Sequence, residues 1–312
     1  MSVSTAAQAA PQRTSAAFLA LVGAMMLTGS NVPLGKVIVE SLDVYTFLIV
    51  RFAVATLTLG VLLRPSGIAQ ALRSAKPLAG DLVVLSAIGS ILFTVLLLEG
   101  TKRTSASDAG IITATLPAVV ALCSVVVLRE WPTMGAIACI LVSVLGLVVI
   151  QVAGVTGAAR TSGLLGNGLV LLAVVCEALF VLRSGPAARR LGPIALSFLV
   201  SAASLLLSLP LLAISGGWSG LTTLSPGTLL LAIWYGLSAS VFCTILWYRG
   251  ARETPAWLAG LATTALPLTA IAVSALWLGE RLTLWQAVGA ALVTAAIVMG
   301  ALLSRGDRKR SA

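Results

Sequence analysis

The chain has 312 residues, of which 59% are hydrophobic and only 10% are charged, with a formal net charge of +10. Its mean hydropathy of +1.07 exceeds what a soluble domain can conceal, so lipid must be the solvent for most of its surface. With no His and no GxxxxGK[ST] motif, the sequence excludes His-based catalysis, HExxH zinc sites and nucleotide hydrolysis of that type. We expect no cofactor, and no nucleic-acid partner because the basic residues flank apolar runs.

A short polar tail precedes a series of apolar segments. Residues 1–15 are rich in Ala, Ser, Thr and Gln, which predicts a mobile tail, and residues 304–312 form a basic tail. Segments long enough to cross a hydrocarbon layer of ~30 Å lie at about 17–36, 44–63, 79–98, 105–128, 132–152, 163–184, 193–214, 226–247, 254–278 and 283–303. The sequence therefore predicts an all-α integral membrane protein with ten transmembrane helices.

The chain repeats itself after 150 residues. Thr94–Glu130 aligns without a gap with Thr244–Glu280, and about a third of the aligned residues are identical, including Pro117 with Pro267. A long repeat in a hydrophobic chain indicates a transporter made of two structural copies. We predict a first five-helix repeat at 16–152, an external linker at 153–162 and a second five-helix repeat at 163–303. Because five is an odd number, the second repeat must be inverted.

The distribution of basic residues predicts the orientation of the chain. With both termini in the cytoplasm, fourteen Lys and Arg residues lie on the cytoplasmic side and five on the other, with Arg51 inside the membrane. We therefore expect a multi-pass protein of the cytoplasmic (inner) membrane with both termini cytoplasmic. Glu130 would then lie on the cytoplasmic side and Glu280 outside. Each acid precedes a helix, where we read it as structural.

Three stretches together resemble a known family. They are Gly29-Ser30-Asn31 followed by Lys36, the pair Arg51-Phe52, and the Pro…Leu-x-Glu blocks at 117–130 and 267–280, the second followed by Gln286 and Gly289. Over residues 17–303 the chain resembles the drug/metabolite transporter superfamily, in particular its ten-helix EamA-type members. That resemblance implies export or exchange of small metabolites, often amino acids, through a central cavity. It does not identify the substrate.

The two repeated prolines are the first candidates for a binding site. A proline inside a helix cannot donate to the carbonyl four residues back, which is that of Thr113 for Pro117 and that of Thr263 for Pro267. A released carbonyl beside a hydroxyl at membrane depth is tolerated where it is buried in protein or lines a wet cavity. The resemblance implies that these helices line the cavity. The alternative is a kink that serves packing, with the threonine hydroxyl bonded inside its own helix.

Glu177 is a second candidate because it lies deep in an apolar span with no cation nearby in sequence. A charge at helix centre costs about 2.5–3.5 kcal/mol on insertion scales, so such residues usually face a cavity. Desolvation favours the protonated form, which would let Glu177 exchange a proton near neutral pH or bind an ammonium group. The alternatives are a protonated Glu bonded to a neighbouring helix and a pair with Arg51. Relatives tend to have Trp-Ala here, so Glu177 departs from the family pattern.

Arg51 and Asn31 are polar groups in the first two spans. Arg51 lies some eight residues into its span and remains charged, so it needs a carboxylate, carbonyls or water. It would hold a substrate carboxylate or a gating pair, or else snorkel to the interface. With Glu177 it would suit a zwitterionic amino acid, provided that both face one cavity. Asn31 would supply an amide to the substrate, or a hydrogen bond between helices.

Trp234 and Tyr235 lie inside the eighth span, where they could stack on a substrate or serve packing. The other tryptophans fall near span ends, as aromatic belts do. The four cysteines are far apart and resemble small core residues.

The sequence thus predicts a secondary transporter, not an enzyme, which exports or exchanges a small, amino-acid-like metabolite by alternating access. Proton coupling through Glu177 is the sharper form of this hypothesis. The alternatives are an uncoupled facilitator or channel and, less favoured, a membrane-embedded enzyme, for which no reactive constellation is present. The expected partners are the small-molecule substrate and the lipid bilayer, with the protein a monomer or a homodimer.

Overall fold

The computed structural model describes residues 9–31, 34, 38, 42–101, 103–104, 112–129, 131–153, 163–215, 225–277 and 283–310. Within these ranges every regular element is a helix. Several predictions fall outside the described residues: those on the linker from 154 to 162, Lys36, Glu130 and Glu280.

The helices are α1 (Ala9–Ser30), α2 (Val44–Ala75), α3 (Ala79–Val83), α4 (Phe93–Thr101), α5 (Leu116–Cys123), α6 (Met134–Ala153), α7 (Leu164–Leu191), α8 (Pro193–Ser215), α9 (Pro226–Tyr235), α10 (Cys243–Ala251), α11 (Ala256–Ala262), α12 (Ala265–Trp277) and α13 (Leu284–Arg310). Among the described residues, five helical stretches are long and apolar enough to cross a membrane, and shorter apolar helices accompany them. The predicted all-α membrane class is therefore confirmed. Helix α1 begins at Ala9 and α13 continues to Arg310, so both predicted tails are partly helical.

Helix α2 turns sharply where its transmembrane part ends. Asp43 caps its start by accepting hydrogen bonds from the backbone N–H groups of Tyr45 and Thr46. The twenty residues from 44 to 63 then span about 30 Å at ~1.5 Å per residue. Arg64 leaves the helical conformation, with φ 61° and ψ 164°. The following Pro65 disfavours helical backbone in the residue before it, which accounts for the break at this position. The helix resumes at Pro65 in a new direction and continues to Ala75, beyond the predicted end at residue 63.

Three π-helical segments, which have wider turns, occur among the described residues, and one of them, Ser124–Leu128, follows α5. Of the other two, Val84–Leu92 joins α3 to α4 and Gly236–Phe242 joins α9 to α10. Their last bonds run from the Phe93 N–H to the Ile88 carbonyl and from the Cys243 N–H to the Ser238 carbonyl, five residues back in each case. These positions are 150 residues apart, which is the period of the sequence repeat. Such segments frequently mark functional sites.

Helix contacts also follow the 150-residue period. Helix α1 packs on α10, while α7 packs on α4. Adding 150 to the bounds of α4 gives those of α10, and the same shift carries most of α1 onto the first half of α7. Helices α2 and α8 pack on each other, as do α6 and α13, and each of these pairs joins equivalent parts of the two copies. Each copy therefore packs its elements against the other copy.

The contact between α6 and α13 depends on two facing glycines. A Cβ added at Gly146 would lie 2.8 Å from the carbonyl oxygen of Gly289, and one added at Gly289 would lie 2.6 Å from that of Gly146. Small residues let membrane helices approach closely enough for backbone contact. Any larger side chain must therefore push α6 and α13 apart.

We expect Gly146→Ala to lower the thermal unfolding midpoint of the detergent-purified protein, because an overpacked contact costs about 1–3 kcal/mol. The matched control is Gly168→Ala on α7, where an added Cβ meets no atom within 4 Å. It should keep or raise the midpoint, since Ala favours a helix over Gly by about 1 kcal/mol. Equal midpoints for the two variants would contradict this account of the contact.

Candidate functional site

A cavity of about 250 Å³ lies where the helices of the two copies meet. Residues of α1, α2, α4, α7, α8, α9 and α10 line it, together with the π-helical segments before α4 and α10 and with Thr263. Of the predicted site residues, Arg51, Glu177, Tyr235 and Thr263 line this central cavity. Its volume is slightly below the roughly 300–1,000 Å³ of typical ligand pockets, which limits the occupant to a small solute.

The guanidinium of Arg51 is held by polar and aromatic groups. Its Nε donates to Ser240 Oγ at 2.6 Å, and its Cζ lies 5.4 Å from the ring centroid of Tyr235. Among the described residues no carboxylate forms an ion pair with it. The remaining N–H donors of Arg51 are therefore left for water or a ligand in the cavity.

The carboxylate of Glu177 has no hydrogen-bond or ion-pair partner in the part of the chain that the structure describes. Its side chain is half-buried and lines the cavity from α7. The predicted alternatives of a bond to a neighbouring helix and of a direct pair with Arg51 are not found there. A carboxyl group at membrane depth without a protein partner needs water, a proton or a cationic ligand.

Glu177 and Arg51 face the central cavity from different helices, α7 and α2. Trp247 Nε1 donates to Ser184 Oγ at 3.2 Å, and Arg189 Nη1 donates to the Arg252 carbonyl at 3.1 Å. Both contacts join residues 63 apart, so α7 runs parallel to α10. The two charges thus line one cavity without forming an ion pair with each other.

An aromatic wall with an unpaired hydroxyl closes one side of the cavity. The ring of Phe180 stacks on Trp247 with centroids 6.2 Å apart and lies 6.1 Å from Tyr248. The hydroxyl groups of Tyr248 and Ser197 are buried and lack a hydrogen-bond partner among the described residues, although both residues line the cavity. Because buried polar groups are nearly always hydrogen-bonded, we expect both hydroxyls to bind water or a ligand.

A second cavity, of about 190 Å³, adjoins the central one. It lies between the two proline-containing helices and is lined by Thr113, Pro117 and Pro267. Glu177 and Thr263 line both cavities. These two side chains therefore stand between the two spaces.

The prolines break their helices, and the released carbonyl predicted at Thr263 is not found. Pro117 lies in the first turn of α5, after a turn at Thr115, and Pro267 lies in the first turn of α12, after a turn at residues 263–264. The Thr263 carbonyl accepts the Leu266 N–H at 3.1 Å, because a tighter i→i+3 bond replaces the one that Pro267 cannot make. The Thr263 hydroxyl donates to the Gly260 carbonyl of its own helix at 2.6 Å, as in the packing alternative.

Asn31 and Trp234 do not line either cavity. Asn31 Nδ2 donates to the Leu27 carbonyl at 2.9 Å, and its Oδ1 accepts from Ser238 Oγ at 3.0 Å, which is the predicted alternative of bonding between helices. The side chain of Trp234 is 54% exposed on the outer surface of α9. Because successive helical residues point about 100° apart, Tyr235 can face the cavity while Trp234 cannot. The position of Trp234 favours the predicted alternative, in which this side chain serves packing, over stacking on a substrate.

The comparisons with known proteins agree with this architecture. The EamA-like transporter family matches the chain twice, over residues 15–152 and again over residues 164–301. The chain belongs to the EamA-like transporter family. It is 32% identical over 285 residues to the uncharacterized transporter YetK of Bacillus subtilis (strain 168), covering 90% of this chain and 85% of that protein. A crystal structure described only as that of a protein has the same fold, with a TM-score of 0.73, 19% identity, and coverage of 93% of this chain and 98% of that one.

In this EamA-like transporter, several cavity residues could not be singled out from the sequence. Ser197, Ser240, Phe180 and Tyr248 are common residue types in apolar runs, and only the packing of their helices shows that they converge. The repeat offered one signal, because it pairs Ser90 with Ser240 and Thr94 with Thr244, and all four line the cavity. No group of three Cys, Asp or Glu residues that could hold a metal ion occurs within the described ranges.

We expect Tyr248→Phe to keep or raise the thermal unfolding midpoint, because the Tyr248 hydroxyl makes no hydrogen bond with the part of the chain that the structure describes. Trp247→Phe at the neighbouring position should lower the midpoint, because losing a buried hydrogen bond to Ser184 as well as ring volume costs at least about 1 kcal/mol in the free energy of unfolding. Both midpoints are measured on detergent-purified protein without added solute. A drop for Tyr248→Phe as large as that for Trp247→Phe would show that the Tyr248 hydroxyl is structural.

Proposed function

We propose that this EamA-like transporter exports or exchanges an amino-acid-like metabolite by alternating access. The observation that carries the proposal is the pair of opposite charges, Arg51 and Glu177, that line one small cavity without an ion pair between them. An arginine held in place at membrane depth suits a planar carboxylate. A lone carboxylate in the same cavity suits an ammonium group. A zwitterion satisfies both at once.

We propose further that the chain crosses the membrane ten times in two inverted five-helix repeats. The support is the 150-residue period of the sequence, together with two family matches that are 149 residues apart and the reciprocal packing of α1 on α10 and of α7 on α4. An odd number of crossings per copy inverts the second copy. The cavity then lies near the midplane between the copies, where alternating access operates.

The orientation with both termini in the cytoplasm of a cytoplasmic membrane follows from the basic residues. Residues predicted to be cytoplasmic gather at one end of the molecule, where Arg183 pairs with Asp81 at 3.1 Å and Arg189 bonds to the Arg252 carbonyl. At the other end, Arg103 pairs with Glu99 and Thr104 bonds to Asn167. The excess of Lys and Arg at the first end favours its placement in the cytoplasm.

Glu177 is also suited to couple transport to protons. Its carboxylate lines two cavities, so a proton or water could reach it from the second cavity while the substrate occupies the central one. A protonated carboxyl group does not attract an ammonium group as a carboxylate does. Binding of a proton and binding of the substrate amine at Glu177 therefore exclude each other, which is what exchange of the two requires.

The alternative is an uncoupled facilitator or channel. Such a protein would equilibrate its solute, and a channel would pass it without saturation. Both alternatives would still use the central cavity. They differ from the proposal in that binding of a proton and binding of the substrate at Glu177 would not exclude each other. Transport measurements with an imposed proton gradient separate the three.

Uptake of labelled amino acids by proteoliposomes tests the substrate class. We expect saturable uptake that unlabelled neutral amino acids inhibit, while amines without a carboxylate and carboxylic acids without an amine inhibit at least about tenfold more weakly. The reason is the loss of one charge-assisted hydrogen bond, about 1.5–3 kcal/mol. Arg51→Gln should remove the preference for amino acids over amines, whereas Arg103→Gln at the end of the molecule should keep it. Equal inhibition by all three classes would refute the zwitterion proposal.

Glu177→Gln tests the coupling. With an acidic lumen, we expect the native protein to accumulate substrate inside the vesicles and to lose the accumulation when an uncoupler is added. Glu177→Gln should retain exchange between labelled and unlabelled substrate but lose its dependence on pH, because an amide does not titrate. Glu253→Gln, which removes a carboxylate paired with Arg252 outside the cavity, should keep that dependence. An unchanged pH response in Glu177→Gln would contradict a role of Glu177 in proton coupling.

A further inference from the structure

A third cavity, of about 370 Å³, lies away from the central site, beside the bend in α2. One wall is the part of α2 beyond the bend, with Gln70 and Ser74, and the other is the turn from α7 to α8, with Arg190 and Ile194. Leu63, the last residue before the bend, also lines it. Neither the family match nor the proposed transport cycle uses this space.

The cavity lies at the depth of lipid headgroups. The part of α2 before the bend is long enough to cross the hydrocarbon layer of ~30 Å, so the bend at Arg64 marks the membrane surface. Just before the bend, Val61 is 80% and Leu62 is 55% exposed, as expected of side chains that face lipid chains. Beyond the bend, α2 runs to Ala75 in a new direction and still exposes Leu72.

The surroundings of the cavity carry a net positive charge. Residues 63–81 and 183–195, which contain both walls, hold six basic residues and one acid, Asp81. Arg183 is engaged by Asp81, and Arg189 donates to a carbonyl of the Arg252 loop. Arg190 is exposed and has no partner among the described residues. Its guanidinium at the cavity wall is a free bidentate donor for a phosphate.

We infer that this cavity binds the phosphate headgroup of an anionic phospholipid, such as phosphatidylglycerol. Arg190 holds the phosphate, and the amide of Gln70 and the hydroxyl of Ser74 bind the polar glycerol groups. The acyl chains descend along the exposed apolar side chains before the bend. A phospholipid is the occupant that combines an anion at this depth with chains that continue into the hydrocarbon layer.

The test is thermal unfolding of the full-length, detergent-purified protein at increasing concentrations of phosphatidylglycerol or of zwitterionic phosphatidylcholine. We expect phosphatidylglycerol to raise the unfolding midpoint in a saturable manner, because a ligand that binds only the folded state stabilises it. Phosphatidylcholine should have a smaller effect. Arg190→Gln should need about tenfold more phosphatidylglycerol for half of the effect, as expected for one lost charge-assisted hydrogen bond.

Two further variants separate the cavity from the general surface charge. Ser74→Phe keeps every charge but fills the space, so it should also lose the response. Arg249→Gln removes an exposed arginine in the last turn of α10 that does not line the cavity, and it should respond as the native protein does. The inference fails if the two lipids act equally, if Arg190→Gln and Ser74→Phe keep the native response, or if Arg249→Gln loses it as well. None of these outcomes depends on transport.

Discussion

Placing a full charge at membrane depth is costly, and the cavity is organised around the two residues that do so. Arg51 cannot lose its charge, and its bond to Ser240 and contact with Tyr235 compensate only part of the lost hydration. Glu177 has no protein partner among the described residues. The two side chains can remain there only if the helices around them leave room for water or a ligand. The central cavity is thus a condition for these residues to be present at all.

The two copies of the repeat supply the same backbone but different chemistry. Ser90 and Thr94 line the cavity from one copy, and Ser240 and Thr244 occupy the equivalent positions in the other. The charges do not repeat: the position equivalent to Arg51 holds Ser201, and the one equivalent to Glu177 holds Leu27. Both copies therefore line the cavity with hydroxyl groups, and each copy adds one charged residue, Arg51 or Glu177. The residues that differ between the copies determine what the cavity can bind.

The sequence predicted the helical membrane fold and its family because both depend on patterns it contains, the long apolar segments and the 150-residue period. It failed where a local backbone detail decides the outcome. Two consecutive aromatic residues, Trp234 and Tyr235, point in different directions on one helix, so only the second reaches the cavity. The Thr263 carbonyl accepts a hydrogen bond within a tighter turn, and no residue type in the sequence predicts that turn. The continuation of α2 beyond Arg64 was also missed, because an arginine with positive φ is rare and a proline usually ends a helix.

The placement of the charges also bears on how a solute would be released. Arg51 belongs to the first copy, whereas Glu177 belongs to the second, as do the hydroxyls of Ser197 and Tyr248, which have no partner in the part of the chain that the structure describes. A zwitterion bound between them joins the two copies across the cavity. Any movement of one copy against the other must lengthen its contact with Arg51 or its contacts with the second copy. The affinity for the zwitterion would therefore fall as the copies separate. A proton on Glu177 would also weaken the contact between Glu177 and the ammonium group, so protonation and release of the solute would favour each other.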